Sequence, residues 1–431
     1  MAKPVEHLDP RAAGFAPSSA LALSERVDAM RAAGERVSKL TLGQSPFPVP
    51  ERMVAALREA AASKDYAPIQ GLPELRKAVA SYIERRLGID RTAADVVVGP
   101  GSKELLFLLQ LVCAADVVVP TPAWGAAIPQ ATLLGRRVLQ VHARAEDGFL
   151  LSPPMLERAL ESEPPRPRLL VLNYPSNPTG LTYRPDELRE IAHIARRHQC
   201  LVLSDEVYGE LHHKGQHGSI ARHYPEGTIL STGVSKWVGA GGWRLGCLIF
   251  PDQLRAIREA TVAVASETLS ATSMPIQRAS VVAFDGGEDI DRYLVQVRRV
   301  LSALGRFTAR RLQSYGLRCA QPTGGFHVFV DFSPALTPSP GRMSFDSSHA
   351  LCTSLLEEGR VGLVPGVAFG RPREELTARL AYVDFDGPRA LSAVGVIPKE
   401  QPVDETFLRR HCAPTVHAVE RIGEWLEARR A

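Results

Sequence analysis

Short, continuous apolar runs recur through the middle of the chain: DVVVGPG (95–101), DVVVPTP (116–122), LLVLNYP (169–175), LVLSDE (201–206), TILSTG (228–233) and RLGCLIF (244–250). Runs of this length without alternation suit strands buried on both faces. Helix-patterned segments lie between them, such as SKELLFLLQLV and RPDELREIAHIARRHQ. The alternation predicts an α/β domain around a mostly parallel sheet flanked by helices. No internal repeat is visible. After about residue 290 the pattern changes. DRYLVQVRRVLSALGRFTARRLQSYG reads as a long, arginine-rich amphipathic helix. GGFHVFVDF, a Pro/Ser-rich loop (Pro334 to Ser344), SFDSSHALCTSLLEEG, VGLVPG and LTARLAYVDF follow. This predicts a smaller α+β domain, with the N-terminal segment packed onto it. The expected division is 46–290 for the large domain, and 1–45 with 291–431 for the small one. Asp386 to Phe407 reads as a long irregular segment before a final helix, His411 to Arg430.

Bulk properties narrow the field. With 431 residues, two domains sharing a large core are expected. Hydrophobic residues at 45% and charged residues at 23% are ordinary for a soluble protein. A net charge of +4 gives no reason to invoke nucleic acid or an anionic membrane. Six cysteines, at 113, 200, 247, 319, 352 and 412, form no C-x-x-C pair. They are expected as buried free thiols in a reducing compartment, not as metal ligands or disulfides. The N-terminal MAKPVEHLDPRAAG lacks an apolar signal core, and the longest apolar stretch, Leu105 to Val119, is broken by Gln110 and Asp116. A cytoplasmic chain is the expectation.

Open parallel sheets bind ligands at the carboxyl ends of their strands. Applied here, that rule brings together Gly99, Gly101, Ser102 and Lys103 from one strand, and Asn173 and Asn177 from another. Asp205 and Tyr208 come from a third, Ser235 and Lys236 from a fourth. Each has a plain structural reading. Ser102 could be a helix cap, Asp205 another, Asn177 turn chemistry, Trp124 core, and Lys236 a solvated charge. Convergence of four strand ends favours function. GPGSKELL opens a helix whose free N–H groups suit a phosphate, although it is not a Walker A loop. Lys236 follows a buried strand, where desolvation and nearby Arg244 would disfavour its charged form. That is how an amine becomes nucleophilic enough for a Schiff base. Gly239, Gly241 and Gly242 let the chain turn so that Arg244 faces the same phosphate.

These residues carry a resemblance. From LTLGQSPFPVPE through DYAPIQGLPELRKAV, NYPSNPTG, SDEVYGEL and SKWVGAGGWRLG to ARLAYVDF, the chain resembles the class I/II aminotransferases. These are fold-type I pyridoxal-phosphate enzymes; the likeness is to the aspartate and aromatic aminotransferases. The resemblance implies a seven-stranded-type sheet in the large domain. It implies pyridoxal 5'-phosphate on Lys236, Asp205 at the pyridinium nitrogen, and Asn177 and Tyr208 at the phenolic oxygen. Trp124 would stack on the ring. Gly101, Ser102, Lys103, Ser235 and Arg244 would surround the phosphate. Tyr66 would reach the phosphate of the other subunit, implying a homodimer with shared sites. Arg379 would clamp the substrate α-carboxylate, with Asn177, Trp124 and the backbone of Gly43. Lys103 also stands where some bacterial aspartate enzymes use a lysine for a side-chain carboxylate. The arginine that animal-type aspartate enzymes draw from the neighbouring subunit has no counterpart here.

The expected activity is transfer of an amino group from an L-amino acid to a 2-oxo acid. The cofactor residues equally fit a β-lyase, a decarboxylase or a biosynthetic cyclase, although Arg379 weighs against losing the carboxylate. A non-catalytic regulator half is disfavoured, because only about 40 residues precede TLGQSPFP, too few for a DNA-binding domain and linker.

Overall fold

The computed structural model describes residues 7–13, 15, 17–336 and 345–430. Most of the Pro/Ser-rich loop expected at Pro334 to Ser344 lies outside them, as do residues 1–6 of the N-terminal segment.

All six apolar runs form strands, and a seventh joins them. The strands are β1 (Val96–Gly99), β2 (Asp116–Thr121), β3 (Val138–His142), β4 (Arg168–Asn173), β5 (Leu201–Asp205), β6 (Thr228–Gly233) and β7 (Gly246–Ile249). They make one sheet in the order β1-β7-β6-β5-β4-β2-β3. The run from β6 through β5, β4 and β2 to β3 is parallel. All of these strands except the edge strand β3 are buried on both faces. Leu170, Leu172 and Val202 pack to one side, and Leu169, Val171 and Leu203 to the other. The helices Ser102–Val112 and Pro185–Arg197, read from the sequence, flank the sheet.

Strand β7 runs antiparallel to both its neighbours. A parallel return needs a crossover of a dozen or more residues, usually through a helix. Residues 234–245 contain only turns and the 3-10 turn Gly241–Trp243, so the chain doubles back. Lys236 and Arg244 sit on this return.

The edge strand β3 was not expected. Its residues Val138, Leu139 and Gln140 are only partly buried or exposed, so it lacks a continuous apolar run. The long helix is Glu288–Ser314. Beyond it an antiparallel sheet is ordered β10-β11-β9-β8, comprising β8 (Arg318–Cys319), β9 (His327–Asp331), β10 (Val364–Pro365) and β11 (Thr377–Ala381). Ser38–Lys39 pairs in parallel with Val361–Gly362.

The expected irregular segment 386–407 needs correction. Gly387–Gly395 is helical, with Asp386 accepting a hydrogen bond from the Arg389 N–H and burying Ala390 and Val394. Gly387 and Pro388 resemble a turn signal, but proline is tolerated in a first helical turn. The expected final helix is present, and a further short helix precedes it. Glu405–His411 is capped by Asp404, and Ala413–Arg430 follows.

Candidate active site

The carboxyl ends of β1, β4, β5 and β6 open onto a cavity of about 780 Å³ and a smaller one beneath Trp124. Ser102, Lys103, Trp124, Asn177, Ser235, Lys236, Arg244 and Arg379 line the large cavity, and Asp205 lines the small one. Half-buried Trp124 and buried Asn177 border both.

Asp205 is the last residue of β5, held in register between Asn173 of β4 and Ser231 of β6. Asn173 fixes two groups at once. Its Nδ2 donates to Asp205 Oδ2 at 3.1 Å, and its Oδ1 accepts from the Asn177 N–H at 2.8 Å. Burial pushes the Asp205 carboxyl up to about 6, against the opposing influence of Ser231, the Val207 backbone and the charge of Lys236. Its Oδ1 is buried without a partner. The same is true of the Tyr208 hydroxyl. A buried carboxylate oxygen without a donor is costly, so Asp205 suits a bound group that brings one, a cationic donor best of all.

Lys236 lies three residues beyond β6, and its Nζ donates to the Gly43 carbonyl at 2.8 Å. Burial lowers its pKa to about 8, and Arg379 adds more repulsion than Arg244; Asp205 pulls the other way. The sequence reading anticipated desolvation and Arg244 but not the larger effect of Arg379. The amine stands 5.5 Å from the centre of the Tyr208 ring.

The phosphate end is built from backbone. Helix Ser102–Val112 begins after Gly101, which has φ of +97° and no side chain to cap the first turn. A Cβ on Gly101 would collide with Arg244 Nη2, so the arginine lies where it does over the helix start because glycine is there. Arg244 adopts a left-handed backbone and donates to the Gly241 carbonyl at 3.0 Å. Uncapped N–H groups, Ser235 and a guanidinium suit a phosphate dianion.

Arg379, on β11, is buried and reaches across from the second sheet. It donates to the Thr41 carbonyl and, at 3.4 Å, to Asn177 Oδ1. Its guanidinium lies 5.3 Å from the Phe369 ring centre, and its Nε has no partner. Burial lowers its pKa to about 10, so it stays charged at neutral pH. Lys103 is exposed at the cavity and has no ion pair among the described residues. Tyr66 is 90% exposed and does not line the cavity of its own chain.

Some residues of the site were not anticipated. His327 of β9 is fully buried beside Gly43 and 5.5 Å from the Tyr208 ring, with neither ring nitrogen partnered. Burial drives its pKa well down, so it is neutral. The only sequence signal was a histidine inside an apolar strand after two glycines. Residues 17–21 also line the cavity mouth.

Comparisons with known proteins place the chain in a family. The family model described as aminotransferase class I and II matches residues 35–382. The aspartate aminotransferase of Geobacillus stearothermophilus is 32% identical over 383 residues, covering 86% of this chain and 93% of that one. The aspartate/prephenate aminotransferase of Thermus thermophilus is 31% identical, covering 85% and 93%. A solved structure of Thermus thermophilus aspartate aminotransferase with maleate superposes with a TM-score of 0.81 at 28% identity, covering 97% of this chain and 99% of that one.

Proposed function

Because the chain belongs to the aminotransferase class I and II family and is a transaminase, we propose that it works with pyridoxal 5'-phosphate anchored at Lys236. It would move the amino group of an L-amino acid to a 2-oxo acid. The observation that carries this reading is one cluster: a depressed amine, and two buried polar atoms, Asp205 Oδ1 and Tyr208 OH, that lack partners.

Bound there, the cofactor supplies an electron-poor ring that takes up the charge left when the substrate Cα loses its proton. The chain's own residues do the remaining work. Asp205 would keep the ring nitrogen protonated, which also offsets the burial of its carboxylate. Tyr208 and Asn177 would hold the phenolic oxygen, and Trp124 would cover the ring face. Gly101, Ser102, Lys103, Ser235 and Arg244 would hold the phosphate. Arg379 would orient the α-carboxylate, with Asn177 and the Gly43 backbone alongside, so that the Cα–H bond meets the ring face. Holding the carboxylate in place favours transfer over decarboxylation. Lys236 accepts the Cα proton at Nζ, general-base work that contributes roughly 10²–10⁴-fold.

A dicarboxylic donor is the reading supported by the aspartate enzymes among the relatives and by the unpaired Lys103. A homodimer is supported by Tyr66, whose exposed ring has no role within its own chain's cavity. Six unpaired cysteines support a reducing, cytoplasmic compartment.

Purified protein should be yellow, and borohydride should fix the cofactor on the peptide that contains Lys236. A colourless protein whose spectrum does not respond to added pyridoxal phosphate would overturn the reading.

A further inference from the structure

A second concave site lies away from the active-site cavity, between helix Glu288–Ser314 and the loop after Gly395. It encloses about 290 Å³, and its ionisable lining residues are His213, Lys214, Arg298, Arg299, Arg306 and Lys399. No carboxylate lines it. It shares Arg306 and Val403 with a neighbouring cavity of about 400 Å³, which Arg310, Arg311, Asp404 and Glu405 also line.

Two of the cations are already engaged. Arg298 pairs with Glu210. Arg299 donates to the carbonyls of Val394, Ile397, Pro398 and Gln401, which fixes the loop against the helix. His213 is held neutral, with burial pushing it down to about 4. Lys214, Arg306 and Lys399 remain. None makes an ion pair among the described residues, and Arg306 has only the Ser302 hydroxyl, at 2.7 Å.

Three unneutralised cations around a recess repel one another and concentrate anions from solution. A multivalent anion relieves that repulsion, and arginine with lysine suits phosphate oxygens. The volume is near the lower edge for small-molecule pockets, at roughly 300 Å³. The groove is open to solvent, and its free cations are confined to one short stretch, with Asp404 and Glu405 lining the adjoining cavity, which favours a compact ligand over a nucleic-acid strand. We propose that Lys214, Arg306 and Lys399 bind a small phosphate-bearing metabolite at this groove, separately from the cofactor phosphate.

Calorimetric titration of the holoenzyme with inorganic pyrophosphate tests this, because the cofactor already fills the phosphate cradle of the active site. The expected result is saturable binding at one site per chain. Lys214→Glu and Lys399→Glu should each weaken it about tenfold or more. Lys77→Glu, an equal charge change on an exposed lysine of helix Pro73–Leu87, should leave it unchanged. Both groove lysines are exposed, so these variants are expected to fold. Heats that do not saturate, or the same affinity in all four proteins, would overturn the proposal.

Discussion

On the proposed reading the chemistry turns on Lys236, and burial together with opposing charges sets its pKa. Burial and Arg379 disfavour the ammonium, whereas Asp205 favours it. The neutral amine is the reactive form, so capture of pyridoxal phosphate by cofactor-free protein should speed up as pH rises through about 8. Removing the Asp205 charge takes away the group that holds the proton on. The midpoint should therefore fall in Asp205→Asn and rise in Arg379→Met, each by up to about one unit. Stopped-flow absorbance across pH reads both, and shifts in the same direction would contradict this account. Lys103 carries the substrate reading. Measured at saturating pyridoxal phosphate, so that any loss of phosphate contact does not intrude, Lys103→Ala should raise KM for aspartate about tenfold or more, through loss of a charge-assisted hydrogen bond, and spare a monocarboxylic donor. Equal effects on both donors would remove Lys103 from substrate recognition. Asp205, Asn177 and Lys236 were legible in sequence because each follows an apolar run that had to be a strand. His327 was not, since nothing local marks which face of β9 meets the site. The contact of Arg379 with Asn177 joins residues 202 positions apart. Only the resemblance anticipated that pairing.

At the level of elements, legibility followed burial. The six strands buried on both faces announce themselves as unbroken apolar runs. The edge strand β3 meets solvent and mixes polar with apolar residues, so its pattern fades. The helix Gly387–Gly395 was hidden by its own start, where a Gly-Pro pair imitates a turn. The loop after that helix has little apolar anchorage of its own, and Val396 is largely exposed. Its order rests on the Arg299 guanidinium, which satisfies three carbonyls at 2.8–2.9 Å and a fourth at 3.4 Å. Hydrogen bonds from a charged donor are worth roughly 1.5–3 kcal/mol each where they replace unsatisfied groups. Arg299→Met should therefore speed amide exchange across 396–402 by about tenfold or more, with little change in the strands of the large sheet. Unchanged exchange there would show that the loop is held by something else.

For the whole molecule, the exposed Tyr66 ring is the observation that a single chain does not account for. If it completes the phosphate site of a second copy, Tyr66→Phe should weaken cofactor affinity about tenfold while the protein still sediments as a dimer. A monomeric wild-type protein with full activity would rule this out. The return between β6 and β7 has a mechanical consequence as well. Its two ends are tied together where Gly233 faces Gly246 in adjacent strands. Lys236 and Arg244, both on that closed loop, are thus clamped into one rigid part. Arg379 belongs to the other sheet and reaches the large sheet through Asn177, beyond β4, while also donating to the Thr41 carbonyl. The two sheets stand to each other like the jaws of a vice. On the proposed reading, one jaw would hold the cofactor at two points and the other would grip the carboxylate of the amino acid between them.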